Sequence, residues 1–410
     1  MAAPGPGAQD ALGTAHGSHP APVPLRATVP PARTVGITAV ALRSDLERLL
    51  GAHVLLADEL VHARLQGQEA HAAAATDAVG RNQHELVGLV TSLSGAAAAD
   101  VFRTAWAEHV EVLGSYATAL QEKDTAAQSA GRTRYIEVER ELGAAFGTVV
   151  GGEVSTAALT AAATLHGEHL LTHADAFAAG DFDRAYTVQR EAFGHMITIA
   201  DVLARGIAAA KALPTAELDA PRQELQSALS RLLAEHMGLM VQAMRAAHDW
   251  APEFPGAGRA LNANTADLGG AVGTLYGEPA SKQFLDLWAH HVESLVQYAG
   301  AAEDDPAAQQ ARQQLEAFAP ELARFLAGAT EQRLPAINLA AAITEHDEHL
   351  LAQADAYAAG EMPTAQQLAA QGYVHMFKLA QTLATAIGDT VAARLPQGGP
   401  ATGGGLTGRQ

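Results

Sequence analysis

Apolar residues recur at steps of three and four along most of the chain, and β-branched alternation never persists, so the pattern predicts α-helices and no strands. From Ile37 to Leu213 there is no proline. Long helices require this, because an interior proline costs about 3 kcal/mol. Seven of the 18 prolines fall within the first 35 residues, which predicts a Pro/Gly/Ala-rich disordered tail over 1–36. Prolines 214 and 221 mark a linker over 214–222, and a glycine-rich tail occupies 396–410. Two helical stretches remain, 37–213 and 223–395.

The two stretches read as copies. His166 to Leu203, HGEHLLTHADAFAAGDFDRAYTVQREAFGHMITIADVL, aligns without a gap on His346 to Leu383, HDEHLLAQADAYAAGEMPTAQQLAAQGYVHMFKLAQTL, at a constant offset of 180. Upstream, LLGAH (49–53) matches LLAEH (232–236). Asn82, Glu85 and Leu86 match Asn264, Asp267 and Leu268, and FRTAWAEHVEVLGSY (102–116) matches FLDLWAHHVESLVQY (284–298). Helix breakers at 250–256, 275–279, Asp305-Pro306, Pro335 and Gly360 divide the second stretch into six helices. The expected fold is all-α, a tandem duplication of a six-helix bundle unit, each bundle with its own core.

Charge and composition narrow the function. Acids outnumber Lys and Arg by 45 to 26, a net charge of −19, which repels phosphate backbones, so no nucleic-acid partner is expected. The chain has no cysteine, so disulfides and thiolate metal sites are excluded. No uninterrupted run of 18 apolar residues occurs, so no membrane span is expected. The N-terminal sequence lacks a basic region followed by an apolar core and is not a secretory signal as written. Gly-x-Ser-x-Gly, a Walker loop, a dinucleotide fingerprint, His-Glu-x-x-His and paired Glu-x-x-His are all missing, which favours a non-enzymatic role.

Histidine is the residue type that offers chemistry. Ten of the 18 histidines pair between the copies: 53 with 236, 109 with 291, 166 with 346, 169 with 349 and 195 with 375. His53 shares a helical face with Leu46, Leu49, Leu50, Ala57 and Leu60; His236 with Leu229, Leu232, Leu233, Met240 and Met244. His109 lies between Trp106 and Leu113, and His195 between Ala192 and Ile199. Such positions face inward. Imidazoles from several helices of one bundle can build a metal site. The metal reading assigns His53, His109, His166 and His195 to one site and His236, His291, His346 and His375 to a second. Copper is favoured for nitrogen donors, with zinc and iron as alternatives. His169 and His349 serve as further ligands or supporting donors, while Glu168 and Glu348 are expected outside. Met237, Met240 and Met244 would suit copper(I), but Val54, Ala57 and Val61 replace them in the first copy, so they read as core filler. The rival reading is a structural or protein-interaction module whose buried histidines only form hydrogen bonds. A bis-histidine haem protein ranks third.

The shared signature is Asn-x-x-[DE]-Leu, Phe-x-x-x-Trp-x-x-His, His-x-x-x-Leu before Asp-Ala-[FY], then Gly-[DE] and [FY]-x-His-Met. It resembles helical-repeat proteins of bacteria, some exported and labelled copper-amine-oxidase-like, over about 40–210 and 223–393. The resemblance implies that the functional positions are the same eight histidines. It does not imply amine oxidation: such enzymes are β-rich and need Asn-Tyr-[DE] and His-x-His, and neither occurs here.

Overall fold

The computed structural model describes residues 36–301 and 305–394, so the tails expected at 1–36 and 396–410 lie outside the described residues except for Gly36. The chain is all-α. Its helices are α1 (Ala39–Leu65), α2 (Glu69–Gln121), α3 (Thr125–Val149), α4 (Thr156–Ala178) and α5 (Phe182–Ala210) in the first half. The second half has α6 (Pro221–His248), α7 (Phe254–Tyr276), α8 (Glu278–Gly300), α9 (Pro306–Ala329), α10 (Ala336–Ala358) and α11 (Met362–Arg394).

The difference in number is only apparent. Inside α2, Gly95 adopts φ +83° and ψ 171°, and Gly277, between α7 and α8, adopts φ +89° and ψ 168°. Both lie in a region open to glycine alone, so α2 bends where its counterpart is cut into two helices. Ends elsewhere follow the sequence signals. The Asp305 carboxylate accepts from the Ala307 amide at 2.8 Å and the Asp181 carboxylate from Arg184 at 3.2 Å.

Equivalent polar bridges tie equivalent helices. Asn82 donates to the Leu49 carbonyl at 2.9 Å, and Asn264 to Leu232 at 3.0 Å. Tyr116 donates to Asp175, which Arg132 also contacts; Tyr298, Asp355 and Arg312 repeat the arrangement.

The halves do not keep separate cores. One buried apolar cluster runs from Leu42 and Trp106 through Met237 and Trp288 to Ile387. Where the halves meet, Arg190 on α5 grips Glu235 on α6 at 3.0 and 3.2 Å, and Asn264 donates to the same carboxylate. A buried Glu59 is contacted by His71, Arg245 and Gln366. Burial alone would raise the Glu59 carboxyl, but the charges of Arg245 and His71 outweigh it and hold it far below its usual range. The linker takes part in this packing: Ala216–Asp219 forms a 3-10 turn, Leu218 is buried against Ala39 and Ala208, and Arg43 donates to the Leu218 and Gln223 carbonyls. By length and apolar composition α2 and α5 pass as bilayer spans, yet 44% and 61% of their apolar windows are buried inside the protein.

Candidate metal centres

In the first half three histidines converge from three helices. His53 comes from α1, His109 from α2 beyond the Gly95 bend and His166 from α4; all three are essentially inaccessible to solvent. Their ring centres lie 5.0, 5.5 and 5.4 Å apart. In the second half His236 (α6), His291 (α8) and His346 (α10) repeat the triad at 5.7, 5.7 and 5.5 Å. Trp106 and Trp288 stand over His53 and His236 with ring centres 4.5 and 4.8 Å away.

In each triad one ligand-capable nitrogen per histidine lies within 4.8 Å of the other two. Two imidazole nitrogens on one tetrahedral ion stand about 3.3 Å apart, so closing either triad on an ion moves each ring by less than about 1 Å. Burial is the leading cause that pulls the pKa of His53, His166, His291 and His346 well below 6.5, and it takes His236 to about 3. These rings are therefore neutral at physiological pH and carry the lone pair that a metal needs.

Each triad also has one buried carboxyl group beside it, which comes from a different helix in each half. Glu139 on α3 accepts from His109 Nδ1. Its counterpart at the 180-residue offset is Ala319, which carries no charge. In the second half Asp347 on α10 lies in the corresponding place, its Oδ1 3.4 Å from His291 Nδ1 without a hydrogen bond between them. The counterpart of Asp347 is Gly167, and a Cβ there would lie 2.5 Å from Glu139 Cγ. The glycine makes room for the glutamate. The acid has changed helix, yet it still lies beside Nδ1 of the equivalent histidine, whose Nε2 is left for the triad. A carboxylate behind a histidine orients a ligand ring and raises its basicity.

Hydrogen bonding satisfies little of this. His53 Nε2 lies 3.0 Å from His109 Nε2. Beyond that contact and the bond to Glu139, nine of the twelve ring nitrogens are buried without a hydrogen-bond partner. A buried group left unmet costs roughly 1–3 kcal/mol, so an ion or water that met these nitrogens would stabilise the site. Haem does not meet them: axial imidazoles stand on opposite sides of the iron with the porphyrin between them, whereas these rings touch.

The other sequence-derived candidates stand outside the triads. His195 and His375 donate Nε2–H to the Ala162 and Ala342 carbonyls at 2.9 and 2.8 Å, which leaves only Nδ1 for other partners. His169 and His349 pair with them at ring distances of 5.5 and 6.0 Å. Glu168 and Glu348 are exposed, and Met237, Met240 and Met244 are buried among apolar neighbours.

A further histidine pair, unmatched between the copies, closes on itself. His173 Nδ1–H donates to the Ala185 carbonyl at 3.0 Å, so its Nε2 accepts from His62 Nε2 at 2.9 Å. The counterparts are Gln353 and Arg245. Buried Asp58 lies 3.6 Å from His173 Nε2, and burial raises its carboxyl well above 3.8. No family model, curated protein or solved structure matches the chain.

Proposed function

We propose that this chain is a non-enzymatic metal-holding protein that carries one transition-metal ion per half, on His53, His109 and His166 and on His236, His291 and His346. The observation that carries the reading is the relocated carboxylate. Two sites that diverged in sequence each kept one buried acid behind the same histidine, supplied once by Glu139 and once by Asp347. A packing requirement has no reason to follow an acid from helix to helix, whereas a metal ligand that must be oriented does. The neutral, unpartnered imidazole nitrogens support the same conclusion. Among first-row divalent ions nitrogen donors rank copper above zinc and iron.

The test is elemental analysis of untagged, metal-stripped full chain after incubation with copper(II), zinc(II) or iron(II) and desalting. About two equivalents of one metal are expected, falling to about one in the His236→Ala, His291→Ala variant, as two independent sites require. A folded protein that retains no metal overturns the reading and leaves a helical module with hydrogen-bonded histidines.

A further inference from the structure

Beside each buried triad, one helical turn on, stands a second histidine pair that the triads do not use. On α4 His169 follows His166 by one turn and meets His195 from α5; on α10 His349 follows His346 and meets His375 from α11. The His349 side chain is 20% exposed, whereas His375 is buried. His169 Nδ1 has no hydrogen-bond partner.

The second half shows most clearly what this arrangement accommodates. His375 spends its ring N–H on the Ala342 carbonyl, so in the neutral ring Nδ1 is an acceptor. That nitrogen faces another acceptor, Glu345 Oε1, at 3.5 Å, and His349 Nε2 lies 4.0 Å from the same oxygen. A proton on Nδ1 joins the two as an ion pair, and a bound cation in its place would be held by both. The Glu345 side chain is 58% exposed, so this cluster opens to solvent, unlike the inner triad. Glu348 and Lys378 face it from the two helices. In the first half Leu165 replaces Glu345, and the nearby charges are Glu168, Glu191 and Arg184.

We propose that His349, His375 and Glu345, and in the first half His169 and His195, form outer loading sites that capture a divalent transition-metal ion from solution and pass it to the adjacent triad. The inference rests on the metal reading of the triads. The transfer is ligand exchange: bonds from the ion to the outer imidazoles break as bonds to His346 or His166 form. No electron moves, and Glu345 remains behind as a counter-charge. The missing carboxylate in the first half makes that half the slower to load.

The test uses metal-stripped full-length protein given copper(II) for increasing times, quenched with EDTA, desalted and assayed for retained copper. Wild type is expected to fill both triads, the second half first. Glu345→Gln, at an exposed position that does not endanger the fold, slows only the faster half of the uptake. His169→Ala with His349→Ala slows both halves by on the order of tenfold while the final two equivalents stay unchanged. Wild-type loading rates in both variants overturn the proposal. So does a lower final stoichiometry in the folded His169→Ala, His349→Ala variant, which makes those residues ligands of the inner site. No retained copper in wild type at any time removes the metal reading itself, a result distinct from either of these.

Discussion

Moving the first site's carboxylate from α3 to α4 tests the equivalence of the two centres. Glu139→Ala leaves the His109 Nδ1–H without its acceptor at a site closed to solvent, a loss of about 1–3 kcal/mol. Gly167→Asp alone drives a Cβ to 2.5 Å from Glu139 Cγ and 2.9 Å from Cδ, and adds a second acid to one buried site. Overpacking of this kind costs about 1–3 kcal/mol, and the like charges add to it. Combined, the substitutions relieve each other: the alanine removes the atoms that the new Cβ would strike, and the new aspartate stands where Asp347 stands in the second half. The double variant is therefore expected to be about 2 kcal/mol more stable than the two single effects predict, within the range for residues in contact. Urea denaturation of the four metal-free proteins, followed by circular dichroism, measures the coupling. Competition with a chelator measures the metal: Glu139→Ala weakens the first site about 10–100-fold, and the double variant recovers most of it. Additive energies with no recovery of affinity would refute the idea that Glu139 and Asp347 do the same work.

Acid stability follows from the buried histidines. His53, His62, His166, His291 and His346 sit well below 6.5, His173 at about 4 and His236 at about 3. Their pKa values are depressed on folding, so the unfolded chain binds more protons and stability falls as pH drops below 6.5. Three buried acids oppose this: Asp58 and Asp347 are raised well above 3.8 and Glu47 to about 7, so they stabilise the fold as pH falls. The depressed histidines outnumber the raised acids, so the net effect is a loss of stability as pH falls below about 6.5. Denaturation midpoints of metal-free protein should drop below that pH, and a flat profile would contradict it. At the junction of the halves, Arg245→Met strips Glu59 of its guanidinium partner and is expected to cost about 3–5 kcal/mol, with much of it recovered when Glu59→Gln is added. Thermal unfolding of the two variants gives the comparison.

The sequence by itself determined the helical class, the breaks at prolines and glycines, and the inward faces of His53, His109, His166 and their partners. Each of these depends on helical period and backbone chemistry within one segment. What period cannot supply is the height at which one helix meets another, and that selected three histidines per half and set His195 and His375 against backbone carbonyls. Comparing the copies row by row favours residues that recur in place, so Glu139 opposite Ala319 and Asp347 opposite Gly167 pass as incidental differences. Only the packing of α3 against α4, and of α10 against α8, brings both acids to the same ring nitrogen. Likewise, the proline-marked linker suggested separate cores, but α1, α5 and α6 bury one continuous cluster across the junction, because apolar faces left open at the edge of each half pack against each other.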